Sequence, residues 1–447
     1  MTRMKRLPAR LVVALLVLGG LGGCTAISPA SRAPVWSGPP AEIPESERGG
    51  SFGPAPALQF LVDPYPAAEG PSWLGADVGT SIAVDDDRYL WIFGDTLLGR
   101  VKSTCPGDQI YCDRVVAHGD DAIGMIRNTV GVTERAGDRS FRRIVKYWPT
   151  RNGDPHDALA SGVDGQFLWP LSGVRAGTPV LIAANRHTPE SGLAPVGNVI
   201  VRIANPDDEP ADWRLTRHEL PHFRSFDGPK PSLVWTMAMA LVGRHVYVFG
   251  ELGSAFDAKT VLARLDLEDV SRPAWSPTPE YLMRDTDGDL HWSRAFDVSR
   301  LHVLRGLPGT SETTVFHDPA VGWYSYQLPP LGFDIHLYTA PDLEGPWRDS
   351  GIVYRLPPPW STEENPNCDE GAFTCKEYVA YAVKAHPELG PVGSRVLSYN
   401  VNLASGSLRG AELAAERVPG FYVPQMVVGP NGAPRSPGRA AARRPDE

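Results

Sequence analysis

A two-part pattern recurs five times along this 447-residue chain and constrains its fold more than any other feature: a first strand, a turn, then a compact apolar or aromatic run. The second runs are WIFGD at 91–95, PVLIAA at 179–184, VYVFGE at 246–251, GWYSYQL at 322–328 and VLSYNVN at 396–402. First strands are predicted at 79–84, 167–174, 236–242, 313–317 and 378–383, and outer strands in runs such as VLARLDL (261–267) and IHLYTA (335–340). Successive second runs begin about 70 to 90 residues apart, and two share the form aromatic-x-Phe-Gly-acid. Self-similar β units at such a period close into a ring as propellers, so the expectation is an all-β, five-bladed β-propeller. A β-sandwich with the same number of strands is the alternative, because spacing alone does not require closure. The 45 glycines and 44 prolines, and the scarcity of helical apolar spacing, agree with a β chain rich in turns.

The most informative repeat is the first, WLGADVGTSIAVDDDRYLWIFGDT at 73–96. Two apolar runs flank the acidic turn Asp85-Asp86-Asp87, and one carboxylate stands outside each run. With the turn centred on Asp86, Asp77 and Asp95 fall opposite one another at the open end of a hairpin, about 5 Å apart. Paired acids suit general acid and base chemistry, because one can stay ionised while its neighbour holds the proton. The competing reading is that each Asp only forms a turn.

The ends of the chain carry different information. Arg3, Lys5, Arg6 and Arg10 precede the apolar stretch 11–18, which is too short to span a bilayer, and Leu-Gly-Gly-Cys closes the segment at Cys24. This resembles a bacterial lipoprotein signal, which implies removal of residues 1–23, lipidation of Cys24 and a place in the cell envelope. Thr25 rather than Asp after the Cys favours the outer membrane. Losing four cations and no acids takes the formal net charge from -9 to -13, which argues against nucleic acid as a partner. Residues 24–56 read as a lipidated Cys and flexible tether, 57–428 as the propeller and 429–447 as a disordered tail. The remaining cysteines form two equally spaced local pairs, Cys105 with Cys112 and Cys368 with Cys375, read as disulfides with zinc as the alternative.

Several segments together resemble a known family: GADVGTSIAV with LWIFGDT, MIRNTVGV (125–132), FLWPLSGV (167–174), LYTAPDLEGPW (337–347), and YAVKAHPELG with VLSYNVN (381–402). They are similar to the family catalogued as domain of unknown function 4185. Its characterised members are endo-D-arabinanases of glycoside hydrolase family 183, built as five-bladed propellers. The resemblance implies a glycoside hydrolase acting on a furanose-rich polysaccharide, a D-arabinan-type endo-hydrolase, with catalytic acids at Asp77 and Asp95. Together with the lipoprotein signal the chain reads as a surface-anchored monomer, and a non-catalytic glycan-binding lipoprotein is the alternative. By repeat position, Glu251 takes the place of Asp95 in the third unit and Glu312 that of Asp77 in the fourth. Arg127 and Asn128 are candidates to bind sugar hydroxyls or hold a carboxylate ionised, with a buried network as their alternative. Trp169, Trp235 and Tyr399 are candidates to stack on a sugar or to pack blades, and His386 to line the funnel. No P-loop or dinucleotide fingerprint occurs in a supporting context, and Asp285–Asp289 lacks the spacing of a calcium loop, so neither cofactor nor metal is expected.

Overall fold

The computed structural model describes residues 52–429, except 66, 68–69, 102–113, 116–123, 137–140, 226–231, 254–256, 273, 311, 319–321, 331, 358–377, 391–394 and 404–419. The expected lipoprotein signal with Cys24, the four other cysteines and residues 430–447 therefore lie outside the described residues.

Among the described residues the strands form seven antiparallel sheets. Two of these are the sheet that pairs Ser72–Ala76 with Thr96–Val101 and the small ladder of Thr150–Arg151 with Asp154–Pro155. The other five, of four or five strands each, follow one another along the chain as successive units. The first comprises Thr80–Ala83, Arg88–Phe93, Thr129–Glu134 and Val145–Tyr147. The second runs from Phe167–Arg175 through Val180–His187 and Gly197–Ile203 to Leu215–Glu219. The third begins with Ser232–Val242 and His245–Gly253, the fourth with Thr314–Asp318 and Gly322–Gln327, and the fifth with Tyr378–Ala385 and Arg395–Leu403. All five predicted first strands and all five second strands are present as paired neighbours. The first strands of consecutive sheets pack on one another, which is how propeller sheets are arranged about their inner strands. Second strands are buried on both faces, as in Val180–His187 and His245–Gly253, which explains their near-continuous apolar character.

The fifth sheet corrects the expected domain boundary at residue 57. Gly53–Pro54, placed in the tether by composition, pairs with Val428 and Val427 and supplies that sheet's outer strand. Phe52 packs against Gly429 and meets Tyr326 edge-on at 5.9 Å. The short helix Pro56–Val62 then locks onto the same sheet: the Gln59 side chain donates to Pro424 O (3.0 Å) and accepts from Met426 N (2.8 Å). Lys146 Nζ donates to the carbonyls of Val62 (3.0 Å) and Asp63 (2.9 Å) at the helix's end.

Bulges break the first strands of the second, third and fifth sheets. In a regular strand, side chains three apart point to opposite faces. One extra residue between the pairs Tyr381↔Asn400 and Lys384↔Ser398 reverses that parity, with Ala382 at φ 53° inside the bulge. Tyr381 and Lys384 consequently face the same way.

Candidate active site

The first hairpin is longer than its two apolar runs imply. Beyond the Thr80–Ala83 ladder the chain re-pairs as Ser72–Ala76 with Thr96–Val101; the pairs nearest the gap, Ala76↔Thr96 and Gly75↔Leu97, keep the register of the first ladder, and a bulge between Trp73 and Gly75 shifts the pairs beyond. Asp77 and Asp95 stand opposite each other in the gap between them, with Asp77 N 3.4 Å from Asp95 O and Gly94 N donating to Asp77 O at 3.1 Å. The acids thus occupy an interruption within the hairpin, not its open end. Val78 and Gly79, at φ 67° and 57°, create that interruption. A β-branched residue in the left-handed region is strained and is held there by its surroundings.

The glycine of the aromatic-x-Phe-Gly-acid motif has a steric reason in both copies. A Cβ on Gly94 would lie 2.1 Å from Asp77 Oδ1, and one on Gly250 would meet the Trp235 ring at 2.6 Å. Gly94→Ala is therefore expected to displace the Asp77 carboxylate and lower turnover by about 10- to 100-fold on any substrate cleaved here, measured as initial rates against the unaltered protein.

The two carboxylates have different environments. Asp95, 3% exposed, accepts a hydrogen bond from Trp169 Nε1 at 2.7 Å and faces Arg127 Nη1 at 3.4 Å. Burial raises its proton affinity, while Arg127 and the Trp169 N–H oppose the rise. Asp77 is half-buried and accepts from Tyr381 Oη at 3.1 Å, with Tyr422 Oη at 3.5 Å. Burial, then the charges of Glu312 and Asp95, push Asp77 well above the usual carboxylate range.

The two acids assigned by repeat position join the same cluster electrostatically. Burial and then the charge of Glu312 push Glu251 up to about 7. Burial also raises Glu312, opposed by Lys384. Glu312 sits at φ 62°, and its buried Oε2 has no hydrogen-bond partner among the described residues. Of the six non-glycine residues with positive φ among the described residues, Val78, Glu312, Ala382 and Tyr422 belong to this site or adjoin it. Such concentration of backbone strain is typical of functional centres.

Other sequence candidates separate cleanly. Trp169 and Arg127 contact Asp95 directly. Asn128 does not line the site: its side chain is buried, donating to Leu159 O and Leu168 O and accepting from Leu159 N. Trp235 and Tyr399 are each 2% exposed and pack in the core beside Tyr281 and Tyr354, so neither offers a face to a sugar. His386 is likewise buried, 5.1 Å from the Trp91 ring, with Nδ1 2.5 Å from Ser81 Oγ and Nε2 2.9 Å from Ser398 Oγ. Burial pulls it down to about 3, which keeps it neutral.

Sequence reasoning missed Tyr381, Tyr422, Lys384 and Asp157. Asp157 accepts from Arg127 N at 2.8 Å, and burial raises it to about 6. Among the described residues no cluster of His, Cys, Asp and Glu is arranged to hold a metal ion. In the Asp285–Asp289 turn, Asp285 Oδ1 accepts from the amides of Asp287 and Asp289.

Comparison with known proteins corrects the family expectation. The family model that matches, over residues 67–426, is the one described as Domain of unknown function (DUF5005), not domain of unknown function 4185. The segments that carry the resemblance are short strand and turn segments, which report local structure more than lineage. No curated protein matches the chain. Among solved structures, a provisionally assigned hydrolase from Bacteroides ovatus ATCC 8483 superposes at TM-score 0.58 with 16% identity, covering 83% of this chain and 94% of that one. Looser matches include RS223-β-xylosidase (TM-score 0.39, 11% identity, 80% and 94% coverage). Another is an α-L-arabinofuranosidase from Podospora anserina (TM-score 0.39, 11% identity, 85% and 96% coverage).

Proposed function

The chain belongs to the DUF5005 family, whose name assigns no chemistry, and from its site we propose that it is a glycoside hydrolase acting on a furanose-rich polysaccharide. The observation that carries the proposal is the unequal pair at the hairpin gap. Asp95 is served by two N–H donors, one of them cationic, whereas Asp77 has a phenol hydroxyl at 3.1 Å and faces other carboxylates. Two neighbouring acids whose surroundings separate their proton affinities match the needs of glycosidic bond cleavage.

In this mechanism Asp77 carries the proton and gives it to the leaving-group oxygen as the bond from that oxygen to the anomeric carbon breaks. Asp95 is the ionised member, either taking the proton of the attacking water or bonding to the anomeric carbon itself; the anomer of the product distinguishes the two routes. Trp169 and Arg127 hold Asp95 in place, and Glu251 and Glu312 are the next acids at the site.

The five successive sheets, their packed first strands and the Gly53–Pro54 strand completing the fifth support a closed ring of five blades with this site at its inner strands. Envelope anchoring through Cys24 and action as a monomer complete the proposal. The test is incubation of the full chain with arabinans, D-arabinan among them, galactans and other cell-wall glycans, with products separated by chromatography. Release of oligosaccharides from a furanose glycan is expected. Binding without product on every glycan would instead identify a non-catalytic glycan-binding protein.

A further inference from the structure

The two side chains that serve Asp95 meet one group of rings in the second sheet. Phe167 pairs with His187 across the ladder, and Trp169 stands two residues along the strand from Phe167, so all three side chains share a face. The Trp169 and His187 rings have centroids 4.0 Å apart, Phe167 stacks on His187 at 5.6 Å and 15°, and Phe167 meets Trp169 edge-on at 5.7 Å. Phe167 and His187 are both buried, whereas Trp169 is half-buried.

Each donor approaches its own oxygen of Asp95. Trp169 Nε1 donates to Oδ1 at 2.7 Å, and Arg127 Nη1 lies 3.4 Å from Oδ2. The guanidinium carbon of Arg127 also stands 4.7 Å from the centre of the Phe167 ring, so a single ring carries the cation and abuts the indole. Arg127 N donates to Asp157 Oδ1 at 2.8 Å, which fixes the backbone but leaves a long side chain whose rotamers only its contacts restrict. Burial pulls His187 down to about 4, so it serves here as a neutral ring, and the charged neighbours of Asp95 are Arg127, Asp77, Asp157 and Glu312.

We propose that Phe167 and His187 are positioning residues for Asp95, an aromatic bracket that holds the Trp169 N–H and the Arg127 guanidinium against its two oxygens. This rests on reading Asp95 as the ionised acid of the hydrolase, but its consequence is observable without substrate. Hydrogen bonds to a carboxylate keep their strength only while donor and acceptor stay in line. An aliphatic side chain at 167 offers no ring face to the guanidinium and leaves the indole room to turn. Loosening either donor weakens the hold on ionised Asp95, which burial already opposes.

The test is NMR on the full chain, with the Trp169 indole resonance assigned by Trp169→Phe and the Asp95 carboxyl by Asp95→Asn. In Phe167→Leu, solvent exchange of the Trp169 indole proton is expected to quicken about tenfold or more and the Asp95 titration midpoint to rise. The Trp347 indole, which donates to Leu343 O at 3.1 Å outside the site, is the internal reference and should keep its rate. Phe167→Tyr retains the ring and is expected to leave all three readings as they were. An unchanged Trp169 rate or Asp95 midpoint in Phe167→Leu overturns the inference, as does equal quickening at Trp347, which marks general loosening. If that variant does not fold, His187→Leu decides by the same readings. The expected changes in a protein that cleaves no glycan would support the bracket while rejecting the hydrolase reading.

Discussion

Replacing Asp77 by Asn is expected to lower kcat on a cleaved glycan by about 10³- to 10⁴-fold without lowering the thermal midpoint. The substitution keeps the shape and an acceptor for Tyr381 Oη, but removes the proton that must reach the leaving oxygen. The thermal expectation follows from the same electrostatics. Burial, Glu312 and Asp95 raise the proton affinity of Asp77, so its ionised form is a cost to the folded state that Asn does not carry. In the unaltered protein the raised group stays protonated beyond the usual carboxylate range, and kcat should fall as pH passes through its folded-state value. Initial rates across pH, with melting curves on the same samples, check both parts. Near-native turnover in Asp77→Asn would move the chemistry elsewhere, with Glu251 and Glu312 the next pair to replace.

Glu251→Gln is expected to stabilise the fold at pH 8 by up to about 3 kcal/mol and to change it little at pH 4. Glu251 is raised from 4.5 to about 7 by burial and by Glu312. Between those values the folded state binds a proton that the unfolded chain has released. Stability from this group is therefore complete below about 4.5 and is lost as pH rises through about 7. Gln mimics the protonated form at every pH, so the gain appears only on the alkaline side. Denaturant melts at the two pH values measure it, and equal stability of the two proteins at pH 8 would show that Glu251 is not held protonated. A site that gains stability on losing an acid is one in which function opposes folding.

Much of this architecture was legible because burial on both faces leaves long apolar runs. WIF, VLIAA and VYVF identify second strands, and the symmetry about Asp86 places Asp77 opposite Asp95 in the correct register. Glu251 and Glu312 followed from repeat position alone. The aromatic candidates were less legible, since Trp235 and Tyr399 belong to residue types used equally for packing blades and for stacking sugars. Tyr381 and Lys384 were not legible, since a spacing of three in a regular strand places side chains on opposite faces and only the bulge brings these two to the same one. Gly53–Pro54 was invisible because a two-residue strand containing proline carries no periodic signal. The family resemblance failed for a related reason, as short strand and turn segments report the fold more faithfully than the lineage.

The seam in the fifth sheet has a mechanical meaning. Any pull on the chain from its N-terminal side reaches the fold at Phe52 and meets a strand of only two residues, Gly53–Pro54, which alone resists poorly. The load then passes to the helix Pro56–Val62, whose buried Gln59 grips residues 424 and 426 and whose last carbonyls are held by Lys146 of the first sheet. Force arriving at the edge is thus divided between the last sheet and the first, the two elements that any closure must keep together. Tension applied at this point therefore has to break these buried contacts as well as the two-residue strand before the junction opens.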